Sequence, residues 1–219
     1  MFEKIKRALL RGREKVVVDP SRFSDPIADN TEWGPAKKGG SNFRTHKLIG
    51  LGGQRIEFKG TVGGIVFGVI FMLFGIGAIV GFSIFMSTSE SFEFEWAMII
   101  PYLFGTIFTL VGWFMYRYMT APIVFDKDLS LFWKGRKSPR EVFNIDSIKV
   151  HAELDQIHAI QVLSEYCHTD KSHYYSYELN LVLKDSNRIN VIDHGNLNKL
   201  REDANTVAEF LGVPIWDVV

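Results

Sequence analysis

Cysteine is almost absent from the chain, in which Cys167 is the only one. One thiol cannot form an intramolecular disulfide, and it cannot supply the paired ligands of a structural zinc cluster. A free cysteine is typical of a reducing compartment, where it usually behaves as a small, partly buried hydrophobic residue. This composition favours a cytoplasmic location for the soluble part of the chain.

Signatures of catalysis, phosphate binding and metal binding are also missing. The sequence has no GxSxG nucleophile motif and no CxxC or HxxxH pair, and the glycines at 50–53 and 60–68 precede no Lys-Ser or Lys-Thr pair. Cys167, His168, Asp170 and His173 form the best candidate metal cluster, but a loop between two predicted strands is typical of a polar hairpin tip. We therefore predict that the protein is not an enzyme and that it binds no cofactor and no metal.

Charge is missing from two long stretches of the chain. No charged residue lies between Lys59 and Glu90, and none lies in Trp96–Tyr116. A helix rises about 1.5 Å per residue, so Val62–Met86 and Trp96–Tyr116 are each long enough to cross a hydrocarbon layer of about 30 Å. Neither span contains the ionisable residues that mark proton and ion pathways, nor a polar pore lining. The sequence predicts a two-helix transmembrane hairpin over 61–118 and argues against a transporter or a pore.

Basic residues are absent from the connector between the spans. The connector, 87–95, holds three glutamates and no Lys or Arg, whereas basic residues lie on the other side of both spans: Arg44, Lys47, Arg55, Lys59 and Arg117. Basic flanks remain in the cytoplasm. We expect a multi-pass protein of a bacterial inner membrane, with a short periplasmic loop and both termini in the cytoplasm.

Small residues recur at helical spacing in the spans. The candidate helix-packing positions are Gly60, Gly64, Gly68, Gly77 and Gly81 in and just before the first span, and Gly105 and Gly112 in the second. Glycines four apart allow two helices to approach closely. Two interpretations remain open: the glycines pack against the chain's own second helix, or they contact a second copy or another membrane protein. We expect a protein that is not monomeric, with association weakened when Gly64 and Gly68 are both replaced by Ile.

The segment before the first span, 1–60, is predicted to be a cytoplasmic region with three parts. Its first part would be either an interfacial helix on anionic lipid or a solvated basic arm, with possible lipid contacts at Lys4, Lys6, Arg7 and Arg11. Residues 19–42 are rich in Pro, Gly, Asp and Asn, which is typical of a linker. Two apolar runs around Gly52-Gly53 then predict a short β-hairpin at the membrane surface.

The segment after the spans, 119–219, is predicted to be an α+β domain. Period-two alternation predicts antiparallel strands at 123–125, 129–134, 142–150, 159–167, 177–183 and 188–193. Apolar residues at helical spacing predict a final helix over 197–211, which Gly212 and Pro214 end. A basic group follows the second strand and is a possible lipid contact, although a solvated loop is the alternative: Lys134, Arg136, Lys137 and Arg140.

The order of these elements over 122–211 resembles a pleckstrin-homology-like (PH-like) domain, in which antiparallel strands form a β barrel or sheet closed by a C-terminal helix. The motifs GGSNFRTHKL, FDKDLSLFW and FLGVPIWD resemble uncharacterised bacterial two-span inner-membrane proteins, which implies a location and a layout but no activity. PH-like domains bind lipid head groups, peptides or proteins, so the fold alone does not decide the function.

We expect a non-enzymatic inner-membrane protein whose cytoplasmic domain binds or regulates a protein partner, of scaffold, accessory or immunity type. The alternatives are a lipid-head-group-sensing module and a subunit of an oligomeric membrane complex. The expected partners are membrane lipids and a second copy or another membrane protein. The 25 basic and 25 acidic residues cancel, so no global attraction to nucleic acid is expected.

Overall fold

The computed structural model describes residues 18–88, 96–168 and 173–219. The chain divides into two compact units, of which one is Lys59–Pro122 and the other combines the residues up to Phe58 with Ile123–Val219. The second unit, called here the β domain, is therefore interrupted in sequence by the first. This division differs from the predicted boundaries, which treated 1–60 and 119–219 as separate parts.

The helices and strands of the described residues are as follows. The α-helices are α1 (Pro26–Asn30), α2 (Val62–Thr88), α3 (Ile99–Met119) and α4 (Leu197–Leu211). The strands are β1 (His46–Gly50), β2 (Arg55–Gly60), β3 (Ile123–Asp126), β4 (Leu131–Lys134), β5 (Val150–Glu153), β6 (Ile157–His168), β7 (His173–Leu183), β8 (Arg188–His194) and β9 (Ile215–Asp217).

The helical unit consists of α2 packed against α3. Both helices are long and apolar enough to cross a membrane, with mean hydropathy 2.7 for Val62–Thr88 and 1.8 for Trp96–Met119. Only 11% of the most apolar stretch of each helix is buried inside the structure. Large apolar side chains such as Ile70 and Leu73 are more than half exposed. Both helices therefore have the length and the apolar surface that a membrane span requires.

The β domain contains two sheets. The first has the order β1-β2-β3-β4-β5, and the second has the order β8-β7-β6-β9. The predicted β-hairpin around Gly52-Gly53 forms, but β2 pairs with β3 across the inserted helices, with Phe58 opposite Ile123. The hairpin thus belongs to the first sheet. The described strands form two separate sheets and no closed barrel, whereas the resemblance implied either a barrel or a sheet.

One apolar core joins the two sheets and α4. Phe58, Phe125 and Phe132 from the first sheet are fully buried, as are Leu179 and Leu181 from the second. From α4 the core receives Leu200, Ala204, Val207 and Ala208, which share one helix face. Asn196 caps the start of α4 by accepting from the Lys199 N–H, and Gly212 ends it with φ of 73°. The predicted bounds of this helix are confirmed.

Two other predictions about the β domain are wrong. The predicted strand 142–150 is instead a loop with one 3-10 turn, Ile145–Ser147, and only its last residue, Val150, belongs to a strand, β5. A second 3-10 turn, Pro139–Glu141, precedes this range. The predicted linker 19–42 is folded against the second sheet, beginning with a 3-10 turn, Pro20–Phe23, and with α1. Phe23 stacks on Trp33 with ring centroids 5.2 Å apart, and Trp33 packs on the buried Trp216 of β9. Aromatic stacking therefore attaches this segment to the domain.

Candidate functional site

Close packing of α2 on α3 depends on five glycines, four of which the sequence indicated. Gly64, Gly68 and Gly75 of α2 and Gly105 and Gly112 of α3 are buried. A Cβ at Gly68 would lie 3.0 Å from the Tyr116 nitrogen and 3.3 Å from the Gly112 oxygen. A Cβ at Gly75 would collide with the Gly105 oxygen and with Thr109. Gly64 and Gly68 thus serve the internal helix pair.

The remaining predicted packing glycines behave differently. A Cβ at Gly60, at the end of β2, would collide with the Met119 carbonyl oxygen. Among the described residues, nothing lies within 4 Å of a Cβ built at Gly77 or at Gly81. These two glycines share one face of α2, and that face points away from Gly75, about 200° round the helix from Gly77. The open glycine face, Gly77 and Gly81, is therefore available for another helix.

A strap formed by residues 36–41 is fixed across the second sheet by carboxylates. Glu178 accepts from the backbone N–H groups of Ala36 and Lys37 at 2.8 and 3.0 Å. Glu165 accepts from Gly39 and Gly40, each at 3.0 Å.

Asp193 extends the same arrangement to the end of the strap, since it accepts from the Ser41 N–H at 3.0 Å. Side-chain hydroxyls complete it: Tyr174 donates to the Gly40 oxygen at 2.9 Å, and Ser176 donates to the Ser41 oxygen at 2.9 Å. The hydrogen bonds that the three carboxylates accept are charge-assisted and therefore stronger than neutral ones. The strap is thus an ordered part of the β domain.

The predicted metal cluster is divided between the two faces of the β6–β7 hairpin. His168 pairs with His173 across the strands, and their rings stack with centroids 4.4 Å apart. Cys167 is buried and directs its sulfur to the Gly40 oxygen at 3.8 Å, and burial raises the pKa of its thiol. Asp170 lies outside the described residues. Among those described, no three His, Cys, Asp or Glu side chains are placed to hold a metal ion.

The two histidines belong to an exposed group of four rings, called here the aromatic tip: Tyr166, His168, His173 and Tyr175. Tyr166 pairs with Tyr175 two positions before the histidine pair, so all four rings share one face of the hairpin. The Tyr166 and Tyr175 rings are 5.2 Å apart, and their residues are 36% and 51% exposed. Sequence patterns did not indicate this group, because its rings become neighbours only through strand pairing.

Lys134, predicted as a lipid contact, is engaged within the β domain. Its ammonium group donates to the Asn190 and Val191 carbonyl oxygens of β8 at 3.0 and 2.9 Å, which ties the first sheet to the second. Burial lowers the pKa of Lys134 to about 8; nearby Lys37 lowers it further and Asp193 opposes the shift. The predicted lipid contact at Lys134 is therefore replaced by an inter-sheet bond.

The other predicted lipid-contacting residues fall into two groups. Arg136, Lys137 and Arg140 are exposed on the connection between β4 and β5. Lys4, Lys6, Arg7 and Arg11 lie outside the described residues. Of the two groups, only the first therefore forms an exposed basic surface within the described residues.

Comparison with known protein families, with curated proteins and with solved structures finds no match for this chain.

Proposed function

We propose that this chain is a non-enzymatic, two-span protein of a bacterial inner membrane whose cytoplasmic β domain binds or regulates a protein partner. The exposed apolar surfaces of α2 and α3 support insertion in a membrane. The acidic connector without Lys or Arg supports placing that connector in the periplasm. A reporter that works only in the cytoplasm should then be active when it is fused after Val219. Activity of a periplasm-specific reporter at the same position would show that the orientation is the reverse of the one proposed.

The PH-like resemblance is part of this proposal. Two antiparallel sheets followed by a C-terminal helix packed on their common core support it. Two features depart from it: α2 and α3 are inserted between β2 and β3, and β9 adds a parallel strand beside β6. The resemblance supports a binding module, since domains of this kind carry their ligands on loops and strand edges.

The aromatic tip is the observation that carries the proposed partner binding. Tyrosine side chains provide large contact area at low entropic cost, and they are enriched where proteins bind other proteins. Here two tyrosines and two histidines are already in ring contact on one exposed face, so few side chains have to become ordered on binding. We expect the partner to present an apolar or aromatic surface with hydrogen-bond acceptors for the ring N–H and O–H groups.

Site-specific photocrosslinking in cells tests the partner proposal. A photoreactive phenylalanine analogue at Tyr175 should give a discrete crosslinked product that contains a second protein. The same analogue at Asp185, in the turn between β7 and β8, is the control and should not give that product. Tyr166→Ser should reduce the yield at position 175 several-fold without changing the amount of protein in the membrane. Equal products at positions 175 and 185 would refute a specific contact at the aromatic tip.

The open glycine face favours a second candidate function, that of a subunit in an oligomeric membrane complex. Gly77 and Gly81 leave the backbone of α2 uncovered where nothing in the described structure fills the groove. A helix from a second copy or from another membrane protein could approach there closely. This candidate is compatible with partner binding by the β domain, because the two surfaces lie on different units.

A further inference from the structure

The connection between β4 and β5, residues 135–149, combines positive charge with an unusually exposed aromatic ring. It is called here the basic loop. Its basic residues outnumber its acidic ones, and all are exposed: Arg136, Lys137, Arg140 and Lys149 against Glu141 and Asp146. Phe143 is 113% exposed, the largest value among the exposed large apolar residues of the described chain. An aromatic ring this exposed is unfavourable in water, and together with the surrounding positive charge it marks the loop as a candidate contact surface.

The exposure of Phe143 is built into the loop. Ser138 and Glu141 form a reciprocal capping box that fixes the first 3-10 turn, and Asn144 caps the second turn. The apolar neighbours of Phe143 turn inward and pack with Val124 and Trp133: Val142, Ile145 and Ile148. Residues on both sides of Phe143 are thus anchored in a small core while its own ring is held out into solvent.

Strand register places the basic loop at the end of the sheet where the membrane helices are attached. Ile123, the first residue of β3, pairs with Phe58 of β2 on one side and with Lys134 of β4 on the other. Lys134 in turn pairs with Val150, the first residue of β5. The loop therefore leaves and re-enters the sheet at the end where β2 continues into α2 and where the chain returns from α3.

We propose that the basic loop docks on the anionic surface of the same membrane, with Phe143 in the head-group region and the exposed Arg and Lys side chains on anionic lipid. This rests on the proposed insertion of α2 and α3. Each basic residue near an anionic surface strengthens association about fivefold, and an aromatic ring adds apolar contact at the interface. Because short connectors hold the domain at the membrane, weak contacts suffice to dock the loop.

A fluorescent probe at position 143 tests the docking in the full-length protein. Cys167→Ser removes the only native thiol, and Phe143→Cys then accepts an apolar, environment-sensitive label. In nanodiscs with one third phosphatidylglycerol, the label should have blue-shifted emission and should be quenched by lipids that carry a nitroxide near the head group. In phosphatidylcholine nanodiscs, or at 0.5 M salt (roughly a 4 Å screening length), the quenching should fall several-fold. A label at Asp128→Cys, at the opposite end of the sheet, should remain in water throughout.

Charge variants and hydrogen exchange complete the test. Combined Arg136→Gln, Lys137→Gln and Arg140→Gln should abolish the lipid dependence, whereas Lys199→Gln on α4 should preserve it. With Phe143 intact, amides of the basic loop should exchange more slowly in anionic than in neutral nanodiscs. A label at 143 that stays in water in anionic nanodiscs would overturn the proposal and leave the loop to a protein partner. Failure of α2 and α3 to resist alkaline extraction from membranes would instead refute insertion itself.

Discussion

His194 lies at the end of β8 with 1% of its surface exposed, and its surroundings select the neutral imidazole. Its Nδ1 accepts from the Asn196 N–H at 3.2 Å, so Nε2 carries the proton. Nε2 is buried without a hydrogen-bond partner among the described residues. Burial, and then the positive charge of Arg44, lower the pKa of His194 to about 4, while Asp193 opposes the shift.

We therefore predict that acid destabilises the β domain through His194. The unfolded chain takes up the proton near its ordinary pKa of 6.5, whereas the folded domain resists until about 4. This stabilisation is complete above pH 6.5 and is lost as the pH falls towards 4, with a loss of about 2 kcal/mol at pH 5. Urea unfolding of the full-length protein at pH 7.5 and pH 5 measures it. His194→Asn keeps an acceptor for Asn196 but cannot titrate, so an equal loss in this variant would contradict the assignment.

Single residues show where sequence patterns suffice and where they do not. Gly75 was missed because it lies outside the four-residue spacing of Gly64 and Gly68. The spacing of seven from Gly68 to Gly75 matches that from Gly105 to Gly112, and this match was the available signal. Phe143 gave no signal at all, because an apolar residue in an apolar-rich stretch is normally expected to be buried.

At the scale of elements, local patterns predicted α4 and most strands, because capping residues and alternation lie within each element. The strap was missed for the opposite reason. Its hydrogen bonds go to Glu165, Glu178 and Asp193, more than 120 residues away, and its own composition is that of a loop. The strand β9 was missed because it has only three residues and depends on pairing with β6.

The close packing of the strap on the second sheet predicts that Gly40 does not tolerate a side chain. A Cβ at this position would lie 2.6 Å from the Ser176 Cβ and 3.2 Å from an Asp193 carboxylate oxygen. Gly40→Ala should therefore displace the strap, at a cost of about 1–3 kcal/mol. Amides 36, 37, 39, 40 and 41 should then exchange hydrogen roughly ten- to a hundredfold faster, while α4 keeps its protection.

Gly34→Ala is the matched control for Gly40→Ala. No atom of the described residues lies within 4 Å of a Cβ at Gly34, and the Gly34 backbone is outside the left-handed region. Its substitution should therefore leave amide exchange unchanged. If Gly40→Ala leaves the strap amides protected, then the strap adjusts to the extra methyl group and the carboxylates alone hold it.

At the scale of the whole molecule, the insertion of α2 and α3 connects the helical unit to the β domain at two points. One residue separates β2 from α2, and three separate α3 from β3. A sequence pattern could predict two spans and a β domain but not this nesting, because the pairing of β2 with β3 joins strands on opposite sides of the hairpin. Short connectors at both points therefore tether the β domain to the helical unit.

The last prediction concerns the association of α2 with another helix. The structure indicates that Gly77 and Gly81, and not Gly64 and Gly68, are the positions to substitute. Gly64→Ile with Gly68→Ile would disrupt the packing of α2 on α3, so a loss of association in that variant would not identify an oligomer contact. Gly77→Ile with Gly81→Ile should leave that packing intact and weaken self-association or partner association about tenfold, because bulk would fill the open glycine face. Mass photometry in nanodiscs and crosslinking in membranes measure this. Ile76→Phe adds bulk about 100° round the helix and should have little effect. A wild-type protein that is strictly monomeric and captures no other membrane protein would contradict the prediction, and the open glycine face would then contact only lipid.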